Sequence, residues 1–231
     1  LGYIIEGILR AVELIASLNP EVIDITILSL EVSGVAVLLA ALVGIPLGTW
    51  ITLNEFPMKN ALKNVIFTLM GLPPVVAGLV VYLLISRAGP LGTFGVLFTP
   101  TAMVIAQFVL VTPIITGLTI TATKAVDKTI IDTVISLGAN KVNTAIIVLN
   151  EARQAIIVAI LAGFGRAIAE VGAVMIVGGD IRWSTRVLTT SIVLETRKGD
   201  YGMAIALGII LLSVSFIINM IMNMKKGGSS R

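Results

Sequence analysis

The hydrophobic and polar positions of this chain fall into long blocks rather than into the short alternations of a sheet. Val32–Leu53, Val65–Ser86, the latter part of Ala88–Thr123, and Tyr201–Met224 carry no charged residue. A hydrocarbon layer of about 30 Å is crossed by about 20 helical residues, so each of these stretches supplies one span. A fifth stretch, Gln154–Gly179, has the required length but holds Arg166 and Glu170 among its glycines and apolar residues. The pattern predicts an all-α, polytopic membrane protein with five transmembrane helices.

Two segments break this rule. In residues 1–18, Glu6, Arg10, Glu13 and Ser17 recur at helical spacing, and Ile4, Ile5, Ile8, Leu9, Val12 and Ile15 fill the remaining face. That is an amphipathic helix suited to lie in the membrane interface. It lacks the basic start and small-residue site of a cleavable signal. Asn19-Pro20-Glu21 then reads as a helix start with Asn19 as cap, the first membrane helix following directly within one permease domain over 19–231. The second exception is the polar connection Lys124–Arg153. There Asp127 is placed to cap a short helix with Ile130, Ile131, Val134, Ile135 and Leu137 on one face, and Gly138 supplies a left-handed end. So short a helix needs a partner, either its own membrane domain or a second protein.

Composition agrees with the pattern. Of the 231 residues 57% are apolar and 13% charged, about half the charge of an ordinary soluble domain, and the mean hydropathy is +1.05. Without cysteine or histidine, disulfides, thiol nucleophiles, Ser-His-Asp triads and the usual zinc, haem and iron–sulfur ligand sets are excluded. The net charge of +3 is too small and scattered for a nucleic-acid surface. No phosphate-cradling glycine motif is present, so the chain has no nucleotide site or cofactor of its own.

With five spans, nine basic residues fall on one side (Lys59, Lys63, Lys124, Lys128, Lys141, Arg153, Lys225, Lys226, Arg231) and six on the other (Arg10, Arg87, Arg182, Arg186, Arg197, Lys198). The richer side is read as cytoplasmic, which places the N-terminus outside and the C-terminus inside. Pro46, Pro73-Pro74 and Pro113 each interrupt an apolar run. Such breaks fit kinked helices around a pathway as well as ordinary membrane packing. Arg166 and Glu170, four residues apart on a helix, are within reach of an ion pair, and both are costly in lipid. They read either as a gate or anion-attracting wall or as a packing pair. Val187–Leu194 is too short to span and suits a re-entrant or surface helix, whose Thr189, Thr190 and Ser191 offer hydroxyls to an oxyanion path or to their own backbone.

The run Asp132-Thr133-Val134, then Leu137-Gly138-Ala139 and Ile147-Val148-Leu149, resembles the loop that marks permease subunits of ATP-binding-cassette importers. It departs from that family's Glu-Ala-Ala opening at Asp132, Thr133 and Val134, and has Asn150 where proline is usual. Ala162–Gly172 with its Gly-Arg-Ala-Ile-Ala-Glu-Val-Gly close, Gly178-Gly179-Asp180, and Arg186–Asp200 are similar to tungstate importer permeases, with molybdate and sulfate permeases sharing the framework. The resemblance implies a coupling helix involving Asp132, Thr133, Leu137, Gly138, Ala139 and Asn140. It also implies two cytoplasmic ATPase subunits that bind ATP and an extracytoplasmic oxyanion-binding protein; five helices of this size hardly enclose a path alone, so a homodimer with the path between subunits is expected. The alternatives are a permease for another oxyanion such as sulfate, a membrane scaffold or channel without an ATPase, and a gradient-driven carrier, for which the single intramembrane carboxylate and the lack of an internal repeat offer little support.

Overall fold

The computed structural model describes residues 2–227; Arg231 lies outside them, as do the side chains of 221–227, Lys225 and Lys226 included. Every regular element among the described residues is helical. They are α1 (Gly2–Ala16), α2 (Pro20–Leu53), α3 (Lys59–Leu69), α4 (Pro74–Ile85), α5 (Pro100–Lys124), α6 (Lys128–Ser136), α7 (Lys141–Glu151), α8 (Arg153–Ile168), α9 (Gly172–Gly178), α10 (Leu188–Lys198) and α11 (Tyr201–Gly227), with a 3-10 turn at Gly92–Phe94.

Among the described residues three helices are long and apolar enough to cross a bilayer: α2, α5 and the Tyr201–Met220 part of α11. The number reaches five only if two bent pairs each count as one span, α3 with α4 at 102° and α7 with α8 at 75°. Two expectations are thereby corrected. Val65–Ser86 is not one helix, because Pro73 and Pro74 together remove two amide donors and force the preceding backbone out of the helical region. Pro73 takes an extended conformation (φ −62°, ψ 126°) and Pro74 opens α4 as its first residue. Gln154–Gly179 is not one helix either. α8 ends at Ile168 and α9 starts afresh at Gly172, while Lys141–Glu151, read from sequence as part of the polar connection, forms the other half of the bent pair. Single prolines behave differently, and α2 and α5 run on through Pro46 and Pro113.

The chain forms two compact units, one of Leu1–Ala36, Pro73–Gln107 and Gly165–Arg231, the other of Val37–Leu72 and Phe108–Phe164. In the first, Asn19 caps α2 as its sequence predicts, its Oδ1 accepting from the Glu21 and Val22 amides at 3.0 and 3.2 Å. Val22, Ile25, Leu188, Leu207 and Ile210 form a buried cluster of α2, α10 and α11. α1 presents a third face that the polar and apolar stripes did not reveal. Gly7 and Ala11 are its buried residues, Gly7 lies against Ile205 of α11, and Arg10 reaches Asp200 at 3.3 Å.

Close approach in this unit depends on α4 and α9 meeting at a position without a side chain. A Cβ on Gly78 would stand 2.6 Å from the Cα of Ala173. Helices in lipid gain nothing from the hydrophobic effect against one another and associate through such small-residue contacts and polar bonds. The second unit uses the same device, because a Cβ on Gly48 of α2 would stand 2.8 Å from the Thr116 carbonyl oxygen of α5. Thr123 of α5 also donates to the Thr52 hydroxyl of α2 at 2.9 Å.

Candidate functional site

Two groups of residues carry the polar chemistry, one in each unit. The first is the helical hairpin α6–α7. The Asp127 carboxylate accepts from the Thr129 amide at 2.8 Å and starts α6. α6 ends in a Schellman arrangement, with the Gly138 amide on the Ile135 carbonyl and the Ala139 amide on the Val134 carbonyl. That geometry needs a left-handed residue at position 138, and Gly138 has φ +85° with open space around it. Asn140 then caps α7 by accepting from the Asn143 amide at 2.9 Å. Caps at three of the four ends define so short a pair of helices before any tertiary contact is made.

No residue of α6 is buried. Its apolar face is only half covered, with Ile135 54% and the adjoining Leu137 83% exposed. Asp132 and Thr133 are also exposed, and the Thr133 hydroxyl donates to the carbonyl of Thr129. Ile131, Ile135 and Ala139 form one wall of an apolar cleft of about 790 Å³ whose other walls are Thr49, Trp50 and Leu53 of α2 and Val142, Ile146 and Leu149 of α7.

The Thr129 amide holds the Asp127 carboxyl below the ordinary aspartate range. A depressed carboxylate stabilises the fold fully above the unfolded value of about 3.9 and loses that contribution as pH falls through the lower folded value. Amide exchange at Thr129 is expected to stay protected down to that range and then rise. Asp127→Asn keeps the acceptor oxygen and should abolish the pH dependence; a wild-type profile as flat as the variant's would show that the cap is not formed.

The second group surrounds the break between α8 and α9. Arg166 stands in the last turn of α8 and Glu170 in the short segment that follows, so they are not on one continuous helix as the i, i+4 spacing predicted. They still meet: Arg166 Nη1 donates to Glu170 Oε2 at 2.9 Å, with the Arg166 side chain 35% and that of Glu170 3% exposed. The other oxygen, Oε1, accepts from the Ala173 amide at 3.0 Å. Glu170 therefore links the end of one helix to the start of the next, where the amide dipoles favour a carboxylate.

Thr189, on the buried half of α10, donates to the Glu170 carbonyl at 2.8 Å, so Arg166, Glu170 and Thr189 form one connected group. Thr190 does not join it. Its hydroxyl accepts from the Val187 amide and donates to the Val187 carbonyl, the local bonding open to any helix-start threonine. Leu188, Thr189, Thr190 and Ser191 are buried, so the first half of α10 is neither a surface helix nor exposed to solvent.

Two members of this neighbourhood were not singled out from sequence. Gln107 of α5 donates from Nε2 to the Ala167 carbonyl at 3.1 Å, and the hydroxyl of Ser29 on α2 accepts from the Leu188 amide at 2.9 Å. A lone glutamine or serine in an apolar run was the only available signal, and their partners lie 60 and 159 residues away. Farther along, Arg182 makes a bidentate pair with Glu21 at 2.9 and 2.7 Å, and Arg186 reaches Asp180 at 3.3 Å. Among the described residues no cluster of acidic side chains fit for a metal occurs.

Comparison with known proteins matches residues 44–224 to the family described as binding-protein-dependent transport system inner membrane component. The chain is 46% identical over 217 residues to the tungstate uptake system permease protein TupB of Peptoclostridium acidaminophilum, covering 94% of this chain and 95% of that protein. It is 44% identical over 202 residues to a probable anion ABC transporter permease protein of Haloferax volcanii, covering 85% and 87%. It is 36% identical over 221 residues to the TupB protein of Campylobacter jejuni, covering 96% and 92%. Helices able to cross a bilayer, an exposed capped α6 and a match over most of the length lead to one conclusion: the chain belongs to the multi-pass inner-membrane permease components of binding-protein-dependent ABC importers, which are non-catalytic and work with a separate ATP-binding subunit and a binding protein.

Proposed function

We propose that this permease imports tungstate or a closely related oxyanion such as molybdate, as a homodimer with the path between its two copies. With five spans, α3–α4 and α7–α8 each crossing as a bent unit, the two ends lie on opposite faces, and the excess of basic residues on one face supports an outside N-terminus and a cytoplasmic C-terminus. α6 and its turn into α7 are then cytoplasmic, and α1 lies in the interface. α6 is the coupling helix, and Asp132, Thr133, Leu137, Gly138, Ala139 and Asn140 form the surface gripped by the ATPase. The observation that carries this reading is the exposure of α6, which is capped at its start, closed by a Schellman turn at its end, and buried nowhere. The substrate class is supported by the near end-to-end similarity to proteins named for tungstate uptake.

Closure of the ATPases would move the two α6 helices together and reorient the bundle toward the outside; hydrolysis would restore the inward-facing state. In the pathway reading Arg166 is an anion-attracting group held in place by Glu170. Thr189 fixes the Glu170 backbone, and Thr190 fixes the start of α10.

Gly138→Leu tests the coupling role. A side chain there meets no neighbour, but a φ of +85° is strained for any L-residue by about 1–2 kcal/mol, which frays the end of α6. ATP hydrolysis by the assembled complex is expected to persist while ATP-dependent tungstate uptake into vesicles falls about tenfold or more. Full uptake by a correctly inserted variant would sink the coupling assignment. Uptake of sulfate by the wild-type complex in preference to tungstate and molybdate would sink the substrate assignment.

A further inference from the structure

In the unit formed by Val37–Leu72 and Phe108–Phe164, α3 and the end of α5 border an open groove of about 380 Å³ lined by Lys63, Phe67, Ile120, Thr121, Lys124 and Ala125. The two helices present the same order of chemistry. Lys63 precedes Phe67 by one turn on α3, and Lys124, the last residue of α5, follows Ile120 by one turn. Both helices therefore place an ammonium group at the outer end of the groove and an apolar side chain one turn inward. Phe67 is 43% exposed and Ile120 is 2% exposed, so the apolar part has an open flank and a closed floor.

Among the described residues no hydrogen bond or ion pair engages the ammonium group of Lys63 or of Lys124. Glu55, the acid within Coulombic reach of Lys63, is already held by Lys59 at 2.8 Å. Lys63 lies within Coulombic reach of both Lys59 and Lys124, with Glu55 a weaker opposing charge. Thr121 donates to the Gly117 carbonyl of its own helix. The groove is thus a site of uncompensated positive charge joined to an apolar wall, at the terminus of a helix that crosses the membrane.

We propose that this groove binds an anionic phospholipid, with Lys63 and Lys124 sharing its phosphate and Phe67, Ile120 and Ala125 lying along the first part of an acyl chain. A free anion would use only the charged half. A lipid uses both, and it is present at that depth at high local concentration. The site rests on the membrane placement of the chain and not on the oxyanion reading, so the two fail separately: loss of lipid binding leaves tungstate uptake as the readout of transport, and a different transported anion leaves the lipid site intact.

The test uses the full chain assembled with its ATPase subunits in mild detergent, titrated with dioleoyl phosphatidylglycerol or dioleoyl phosphatidylcholine and read by native mass spectrometry. Phosphatidylglycerol is expected to be retained in preference to phosphatidylcholine, and removing charge should weaken it about fivefold for Lys63→Gln or Lys124→Gln alone and about thirtyfold for both. Lys63→Arg with Lys124→Arg should keep the preference. Phe67→Ser should weaken phosphatidylglycerol while leaving the charge response unchanged. Equal retention of the two lipids by the wild type, or unchanged retention by both single Gln variants, overturns the site. Full displacement by inorganic phosphate in modest excess, with Phe67→Ser inert, assigns the groove to a free anion and overturns the lipid. If the double Gln variant cannot be purified, the single variants decide the matter.

Discussion

Glu170→Ala is expected to be the most damaging single change, lowering stability by about 3 kcal/mol, the low end for breaking a buried ion pair because Arg166 retains some access to its surroundings. The variant loses the partner of Arg166 and the acceptor of the Ala173 amide in one step. In detergent its thermal midpoint should fall by roughly 10 °C. Glu170→Gln should fall less, because an amide oxygen can still accept from Ala173. The double variant Arg166→Gln, Glu170→Gln separates packing from transport. Removing both charges should recover most of the stability, since no unpaired charge remains. Under the pathway reading it should not recover uptake. If stability and uptake return together, the pair is a packing device and Arg166 has no part in guiding the anion.

Gly78→Val is expected to follow closely, at about 2–3 kcal/mol, the upper part of the usual range for overpacking. Its Cβ would meet the Ala173 Cα at 2.6 Å, and backbone cannot rotate away as a flexible side chain would. The damage should spread, because Ala173 is the residue whose amide holds Glu170. Ala173→Gly is the informative companion. It removes only the Ala173 Cβ, 3.2 Å from the added atom, and leaves the closer Cα in place, so rescue should be small. Substantial rescue, measured as restored midpoint and extraction yield, would mean that α4 and α9 are farther apart than the structure has them.

Much of this molecule was legible in its sequence because the signals concerned are local. Membrane solvation is written in runs of apolar residues, and helix ends in capping side chains within three residues of the amides they serve. Asn19, Asp127 and Gly138 perform the capping their spacing implied. Pairings that depend on where distant segments come to rest were not legible. Nothing in the local sequence marks Gly7 as the point where α11 lies against α1, or Ser29 as the acceptor of the Leu188 amide.

The chain's own pattern determined that it is helical, that it resides in a bilayer and that a short polar hairpin interrupts its apolar blocks, since solvation and capping act within a few turns of the backbone. Tertiary structure decided which apolar blocks are continuous. One proline was absorbed in α2 and one in α5, whereas the Pro73-Pro74 pair turned its run through 102°. It also decided that Arg166 and Glu170 join two helices rather than decorate one, because the Glu170 carboxylate satisfies an amide at the start of α9 that a continuous helix would have bonded internally.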